Sequence, residues 1–424
     1  MLARSALPRQ GPSVARDSAR DYDILILDAS MKQSLASVRS LGRAGLRVAA
    51  GESVAQFEPA LPMPAFRSRY CLHSLMLPDL INEPAAFGAA VIEFVADHAP
   101  RVILPTGDQT IGVLRPYREQ LAEMGCFLAL ASDSVLEIAN DKDQTLAVAR
   151  SLNIAQPATV RIEGNDDLAT AASEFGFPFV LKPTVSWTEQ AQERLVPVDV
   201  IDKGEAEAFV SHFLKSGSGV LAQEWIPGRR EGVTLFVRDD EVLAGCGHVA
   251  HRTSPPLGGA SVVRESIEVP ADTMDAAVRL VKAIGLQGVC EVEFRRDAEN
   301  RLRLMEVNAR LAGTIENAVQ SGVDLPLMIW QWATGLEMAP VASYRYGVRS
   351  RWLHGDLRWL SQNWGRAGRP DSVPRLRAFY TVMAEFAKSF HYDYFDIRDL
   401  KPFLAELRYT MHVFSKGFKG ARVP

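Results

Sequence analysis

The stretch that decides the fold spans residues 289–310, VCEVEFRRDAENRLRLMEVNAR. It contains two short segments in which apolar and polar residues alternate, joined by a polar connection suited to a longer hairpin. Alternation places Glu291 and Glu293 on one face of the first strand, while Glu306 and Asn308 share a face of the second. Two acids and an amide are therefore expected to converge, and such oxygen ligands are the kind that Mg²⁺ prefers.

Length and composition set the class of protein around this hairpin. A chain of 424 residues predicts two or three domains. With 47% hydrophobic residues, 23% charged residues and a net charge of -4, it has the composition of a soluble globular protein and lacks the basic excess that would favour a nucleic-acid partner. No apolar run approaches the roughly 20 residues of a membrane span. The four cysteines have no CxxC spacing, so reduced thiols in the cytoplasm are expected.

Residues 21–131 predict an N-terminal α/β domain with a parallel sheet, because short apolar strands alternate with helical segments. The first strand-to-helix turn contains no glycine, which disfavours a nicotinamide enzyme. Asp108 follows another predicted strand, at the sheet edge where ligands commonly bind. It is a candidate substrate residue, with a role in a helix cap or turn as the alternative.

The two ends of the chain carry no recognisable chemistry. Residues 1–20 are rich in Arg, Ser, Ala and Pro and predict a disordered tail; Pro8 and Pro12 disfavour the alternative of an amphipathic transit peptide. Residues 341–424 form a C-terminal extension with a basic, aromatic end. Binding of that end to a membrane surface or an acidic partner is the alternative. Because no clean hydrophobic face persists to the end, a packed helix followed by a solvated tail is expected.

Between these ends, residues 132–340 carry motifs in a characteristic order and approximate spacing. They are Leu181-Lys182-Pro183, Gln223-Glu224-Trp225-Ile226-Pro227-Gly228, Val292-Glu293-Phe294 and Met305-Glu306-Val307-Asn308-Ala309-Arg310. In this ordered set the chain resembles the ATP-grasp superfamily, and in particular its carboxylate–amine ligase branch. The resemblance implies a two-lobed ATP-grasp domain after the α/β domain.

The same resemblance implies how a nucleotide would be held. Lys142 and Lys182 would bind the ATP phosphates, Glu224 would lie where adenine is recognised, and Glu231 would reach the ribose hydroxyls. Lysine is also common at exposed helix starts, which is the alternative for Lys142.

Metal and transferred phosphate would be held by the hairpin. By the resemblance, Glu293, Glu306 and Asn308 would bind one or two Mg²⁺ ions, with Mn²⁺ as a substitute and Glu306 as a bridge. Arg310 would contact the transferred phosphate or the substrate carboxylate, since its planar fork pairs with either group. Arg310 and Lys182 are thus the catalytic candidates, with a surface ion pair as the alternative for Arg310.

One departure from the family concerns the loop after Lys182. Members usually have a glycine-rich loop there that covers the phosphates, whereas residues 183–195 contain no glycine. The hydroxyls of Thr184, Ser186 and Thr188 are the substitute phosphate ligands in this stretch.

A second polar cluster contains His248, His251 and Arg252, followed by Pro255-Pro256-Leu257-Gly258-Gly259. It resembles the variable loop near the acceptor in carboxylate–amine ligases. His251 and Arg252 are candidate contacts to an anionic substrate, with ordinary loop packing as the alternative. Zinc is disfavoured because no cysteine or acid ligand is close in sequence.

The sequence thus predicts an ATP- and Mg²⁺-dependent ligase that joins a small-molecule carboxylate to an amine through an acylphosphate. A kinase or carboxylase on the same nucleotide platform is the first alternative. The second is a nucleotide-binding sensor without ligase activity, which the glycine-free loop motivates. Neither the substrates nor the oligomeric state follows from the sequence.

Overall fold

The chain folds into three sheets that follow one another in sequence. The computed structural model describes residues 20–54, 61–188, 190–191, 194–256, 258–364, 366, 368–388 and 390–416. All but the last residue of the predicted N-terminal tail therefore lies outside the described residues. The expected fold class, a multidomain chain of α/β and α+β parts, is confirmed.

The first sheet has five parallel strands in the order β3-β2-β1-β4-β5. Its strands are β1 (Ile24–Ile26), β2 (Val48–Ser53), β3 (Cys71–Leu77), β4 (Val102–Leu104) and β5 (Phe127–Leu128). Its helices are α1 (Lys32–Arg43), α2 (Pro84–His98), α3 (Asp108–Leu114) and α4 (Arg118–Glu123). The central strands β1 and β4 are buried throughout, as expected for parallel strands covered on both faces.

Two helices lead from this sheet into the next, α5 (Asp133–Asn140) and α6 (Lys142–Ser151). Asp141 caps α6, because its carboxylate accepts the backbone N–H groups of Asp143 and Gln144. The cap places Lys142 at the first position of the helix. Its backbone N–H donates to the carbonyl oxygen of Thr184 at 2.9 Å, which joins the helix to the second sheet.

The second sheet is small and antiparallel, with four strands in the order β6-β9-β7-β8. These strands are β6 (Thr159–Ile162), β7 (Phe179–Pro183), β8 (Val198–Val200) and β9 (Val220–Glu224). The helices α7 (Asn165–Phe175) and α8 (Lys203–Lys215) pack on it and complete a separate apolar core. The small sheet thereby forms a lobe of its own.

The third sheet has seven strands in the order β14-β13-β10-β11-β12-β15-β16. They are β10 (Arg229–Arg238), β11 (Glu241–Ser254), β12 (Ala260–Ile267), β13 (Gly288–Arg296), β14 (Leu302–Asn308), β15 (Arg349–Arg351) and β16 (His391–Tyr392). The expected hairpin of β13 and β14 is confirmed. Glu293 lies opposite Glu306, and Glu291 lies opposite Asn308.

Six helices accompany the large sheet. They are α9 (Ala271–Ile284), α10 (Ile315–Ser321), α11 (Leu325–Ala333), α12 (Leu353–Trp364), α13 (Arg375–Ala384) and α14 (Lys401–Lys416). No helix in the described part of the chain is both long and apolar enough to cross a bilayer.

The C-terminal extension is built into the body of the protein. Its strands β15 and β16 complete one edge of the large sheet, and β15 pairs antiparallel with β12. The extension also contacts the first domain, where the buried Arg39 of α1 donates to the carboxylate of Asp399 at 2.9 Å. Long-range ion pairs thus connect the extension to both neighbouring domains.

Candidate functional site

A cleft lies between the small sheet and the large sheet. Apolar side chains of Val180, Ile226 and Met305 line it together with charged groups. Its empty volume, open solvent included, is about 610 Å³. Apolar walls with a few charged groups can hold a flat ring at one end and an anion at the other.

The three residues predicted to bind metal meet at this cleft. Glu293 and Glu306 lie on neighbouring strands, and the amide nitrogen of Asn308 is 3.4 Å from Glu293 and 3.5 Å from Glu306. Each distance joins the Asn308 Nδ2 atom to a carboxylate Oε1 atom. The amide of Asn308 therefore contacts the carboxylates of both glutamates.

The electrostatics of the two acids differ. Burial raises the pKa of Glu293 to about 7, with the charge of Glu306 adding to the effect and the charge of Arg230 opposing it. Burial also acts to raise the pKa of Glu306, but attraction from the nearby lysines outweighs it and the pKa falls below its usual value. A cation between the two neighbouring carboxylates would relieve the repulsion between them.

These residues fit a magnesium ion better than a zinc ion. In the described residues no three His, Cys, Asp or Glu side chains form a group that could hold a metal by themselves. Magnesium is commonly bound by one or two carboxylates completed by phosphate oxygens and water. The pair Glu293 and Glu306, with the amide of Asn308, fits that donor set and implies that a phosphate would complete it.

Two lysines face the acids. Lys142 and Lys182 are both buried, and both act electrostatically on Glu306. Burial lowers the pKa of Lys182 to about 8, while the charge of Glu306 acts in the opposite direction. Buried cations beside a cavity can bind an anion strongly because water screens them little.

The glycine-free loop after Lys182 also reaches this area. Lys142 Nζ lies 3.4 Å from the hydroxyl of Ser186, so this hydroxyl stands beside a candidate phosphate-binding group. Thr188 is engaged elsewhere, since its hydroxyl donates to the carbonyl oxygen of Ser216. Of the three predicted hydroxyls, Ser186 has the position best suited to a phosphate.

Arg310 and Asp108 were separate candidates, and the structure brings them together. Arg310 forms a two-pronged ion pair with Asp108, and its Nη2 atom is 2.9 Å from Asp108 Oδ2. Burial would raise the pKa of Asp108, but the charge of Arg310 lowers it well below its usual range. Arg194, which sequence reasoning missed, lies 3.5 Å from the same carboxylate. The α/β domain thus contributes an acid to the arginine side of the site.

The prediction for Glu231 is wrong in its geometry. Glu231 is buried against α9, where it accepts hydrogen bonds from Arg296 at 2.9 Å and from Thr273 at 2.7 Å. Its neighbour Arg230 points to the cleft instead and donates to Glu293 at 2.8 Å. Successive side chains of a strand point to opposite faces, so a shift of one position along β10 exchanges the group that faces the cleft for the group that faces α9.

The predictions for His251 and Arg252 also need correction, because neither lines the cleft. His251 is exposed and its Nε2 atom is 3.0 Å from Glu265. Arg252 is buried in ion pairs with Asp356, at 2.8 Å, and Glu385. An arginine neutralised by two buried acids is not free to bind a substrate anion.

The loop that follows does reach the site. Gly258 lines the cleft, and Arg230 Nη1 donates to the carbonyl oxygen of Gly259 at 2.9 Å. Leu257 of the same predicted loop lies outside the described residues. The backbone of this loop, rather than the histidine and arginine before it, is what approaches the acids.

Glu224 lies at the end of β9 and lines the cleft. A residue that recognises adenine would have to be in such a position. One of its carboxylate oxygens accepts the backbone N–H of Ala158 at 2.9 Å. That hydrogen bond fixes the side chain between β6 and β9. Its role toward a base stays a prediction.

A further polar cluster, which the sequence did not indicate, lies behind the acids. His248 Nδ1 is 3.9 Å from Glu291, and burial lowers the pKa of His248 to about 4. Lys32 of α1 enters from the α/β domain, where its Nζ donates to the carbonyl oxygen of Ser261 at 2.7 Å and lies 3.6 Å from Asp393. Burial lowers the pKa of Lys32 to about 7.

The three sheets and the cleft between two of them define the class of protein: the chain has an ATP-grasp fold. The biotin carboxylase of Campylobacter jejuni, solved as a complex with β-γ-ATP, superimposes with a TM-score of 0.61 over 78% of this chain and 75% of that one, at 16% identity. A family model described as an ATP-grasp in the biosynthetic pathway with Ter operon matches residues 244–355. The matched segment includes both strands of the acidic hairpin.

Relatives in sequence include ligases. The D-alanine–D-alanine ligase of Ectopseudomonas mendocina is 25% identical over 180 residues, which cover 40% of this chain and 55% of that protein. The large chain of carbamoyl phosphate synthase from Clostridium acetobutylicum is 23% identical over 219 residues, or 50% of this chain and 20% of that protein. The chain therefore resembles ATP-grasp ligases, and it spans between a fifth and about half of the length of these relatives.

Proposed function

We propose that this protein is an ATP- and Mg²⁺-dependent ligase that joins a carboxylate to an amine through an acylphosphate. The observation that carries the proposal is the meeting of Glu293, Glu306 and Lys182 at one cleft. Asn308 contacts both acids, and Lys142 is close enough to act electrostatically on Glu306. Acids that suit Mg²⁺ and cations that suit phosphate are both needed to hold a nucleoside triphosphate. Relatives named as ligases support the same reaction class.

In this mechanism the substrate carboxylate attacks the γ-phosphorus of ATP and the bond to the β-phosphate breaks, releasing ADP. The amine then attacks the acyl carbon, and phosphate leaves as the amide forms. No covalent bond to the protein is needed. Catalysis rests on positioning and on charge stabilisation, which can lower the barrier to such displacements substantially.

The residues have distinct tasks in these steps. Lys142 and Lys182 hold the phosphate oxygens. Asp108 occupies the Nε and Nη2 edge of Arg310, so Arg310 contacts the transferred group or the carboxylate through the Nη1 side of its guanidinium. Glu293, Glu306 and Asn308 would hold Mg²⁺, which would neutralise phosphate charge when bound. Asp108 fixes the guanidinium of Arg310 in place.

Two other functions fit the same nucleotide platform. Phosphorylation or carboxylation would use the same metal and phosphate groups with another acceptor. The structural likeness to a biotin carboxylase is the observation that favours carboxylation as an alternative. Nucleotide binding without ligation is favoured by the loop after Lys182, which lacks glycine. Product analysis separates the first from ligation, and phosphate release separates the second.

The test is a phosphate-release screen of the purified chain with ATP, Mg²⁺ and pooled carboxylates and amines. Glu306→Gln should lose at least about a hundredfold in rate, because a neutral amide cannot balance the metal charge. Glu299→Gln is the matched control, since Glu299 is exposed in the connection of the same hairpin. Phosphate release that survives Glu306→Gln contradicts the metal assignment.

A second measurement addresses the phosphate assignment. ATP binding by the variant Lys142→Met with Lys182→Met should weaken strongly, because two buried cations facing the acids are removed. Unchanged affinity would contradict the assignment. Binding without phosphate release in any substrate pool would favour the sensor function over the ligase.

A further inference from the structure

Exposed apolar side chains are concentrated in the C-terminal extension. In the described part of the chain, 23 large apolar side chains are exposed, and 13 of them lie between Trp364 and Phe414. The other ten are spread over the preceding residues. Single exposed apolar residues are ordinary on protein surfaces, but a concentration of them marks an interaction site.

The helix α13 carries the first row. Leu376, Phe379, Tyr380 and Met383 follow one side of the helix at spacings of three and four, and Leu376 is 86% exposed. The opposite side of α13 is buried against Trp359 of α12. The helix is therefore anchored by one face and presents a second apolar face outward.

The helix α14 carries the second row. Leu400, just before the helix, is followed by Leu404, Leu407 and Met411, again at spacings of three and four, and all four are exposed. The inner side of α14 is held to α12, where Thr410 lies 2.8 Å from His354. Both rows thus belong to helices that pack on α12.

The exposed charges on the two helices themselves have one sign. Arg375, Arg377, Lys401 and Arg408 are exposed on these helices. The acids of the two helical segments are both buried: Glu385 is paired with Arg252, and Glu406 accepts the indole N–H of Trp352 at 2.9 Å. The outward charge of α13 and α14 is therefore basic.

We propose that α13 and α14 dock on an anionic lipid bilayer through their exposed apolar rows, in contrast to the packed helix and solvated tail expected from the sequence. Apolar side chains flanked by exposed arginine and lysine are the features of helices that lie in a membrane interface. A second copy of the chain is a poorer occupant, because two copies meeting through this surface would bring arginines together. An acidic peptide would match the basic charges but would leave apolar rows such as Leu376 to Met383 exposed to water.

The surface does not belong to the nucleotide cleft. None of the residues in the two rows lines the cleft or contacts Glu293, Glu306 or the two lysines. Docking would bring the ligase to a lipid surface and leave its nucleotide site unchanged. The proposal therefore stands or falls independently of the proposed function.

The test is co-sedimentation of the full chain with vesicles of neutral phosphatidylcholine and with vesicles that also contain phosphatidylglycerol. We expect binding to the anionic vesicles, weakening as salt rises. Phe379→Ser with Leu404→Ser should lower the partition coefficient by at least about tenfold, because two apolar side chains leave the interface. Arg377→Glu with Arg408→Glu should lower it by a similar factor.

Matched controls come from another surface. Leu72→Ser with Met76→Ser changes two exposed apolar residues of β3, and binding should stay at the wild-type level. Thermal unfolding of every variant, compared with wild type, reports that the chain is folded. Absence of wild-type binding to anionic vesicles at low salt, or equal binding by the α13–α14 variants, overturns the proposal. A wild-type dimer that these variants dissociate would also overturn it, by assigning the surface to a second copy.

Discussion

The contact between the C-terminal extension and the small lobe gives the sharpest prediction about the energetics of the fold. Arg366 donates to both oxygens of Asp199 in β8, at 2.9 and 2.8 Å. Asp199 is only 4% exposed, and Arg369 reaches its backbone carbonyl oxygen at 3.1 Å. Replacing Arg366 by alanine would leave a buried carboxylate without its main partner.

The size of the effect follows from this geometry. Removing one partner of a buried ion pair costs about 3–5 kcal/mol. Arg369 Nη1 remains 3.4 Å from the same carboxylate and retains part of the interaction. We therefore expect Arg366→Ala to destabilise the small lobe by about 2 kcal/mol, which is a roughly 30-fold increase in its local opening constant.

Hydrogen–deuterium exchange of peptides covering residues 198–215 measures that opening directly. Arg377→Ala, an exposed arginine in the same extension, is the matched control and should leave the exchange unchanged. Adding Asp199→Asn to Arg366→Ala should recover part of the protection, because the uncompensated charge disappears. Exchange of the Arg366→Ala variant within about twofold of wild type would refute the reasoning, since that is the effect of an ordinary surface ion pair.

Three further predictions concern single residues. Burial lowers the pKa of Lys182 to about 8, so its positive charge is lost as the pH rises through 8 and ATP affinity should fall between pH 7 and 9. Lys182→Arg should remove that fall, because arginine stays charged over this range. A pH profile that is the same in wild type and Lys182→Arg would contradict the assignment. Gly228→Ala should lower the free energy of unfolding by at least about 2 kcal/mol, because the φ angle of Gly228 is +131° and an added Cβ would lie 2.3 Å from the carbonyl oxygen of Arg296. Gly164→Ala is the control in the same denaturation series: its added Cβ meets no atom within 4 Å, and the substitution should be tolerated. Glu231→Gln should lower thermal stability and leave ATP affinity unchanged, because Glu231 faces α9; a loss of affinity at constant stability would restore the ribose assignment.

Local patterns determined a large part of the site. Alternation along β13 and β14 was enough to predict that Glu293, Glu306 and Asn308 converge, because the hairpin is local and the side chains of each strand alternate between its two faces. The alternation of strands and helices in residues 21–131 likewise predicted the parallel sheet. Both predictions depend on contacts between neighbouring parts of the chain.

The error at Glu231 has a physical reason. In β10 the residues Arg230 and Glu231 are both charged, so polarity does not tell which one faces the cleft. The packing of α9 decided it, because Thr273 and Arg296 hold the carboxylate on the far side of the sheet. Where consecutive residues of a strand are charged, as at the start of β10, the sequence does not show which side chain faces the cleft.

The order of two lysines and an acidic hairpin along the chain was enough to predict a nucleotide site. The groups that surround these residues follow only from the tertiary fold, because the deciding contacts join distant positions. Arg310 meets Asp108 across 202 residues, and Arg252 is neutralised by Glu385, 133 residues away. The strands β15 and β16 are three and two residues long, too short for any periodic pattern. They form because β12 offers an edge to β15, and β15 in turn offers an edge to β16.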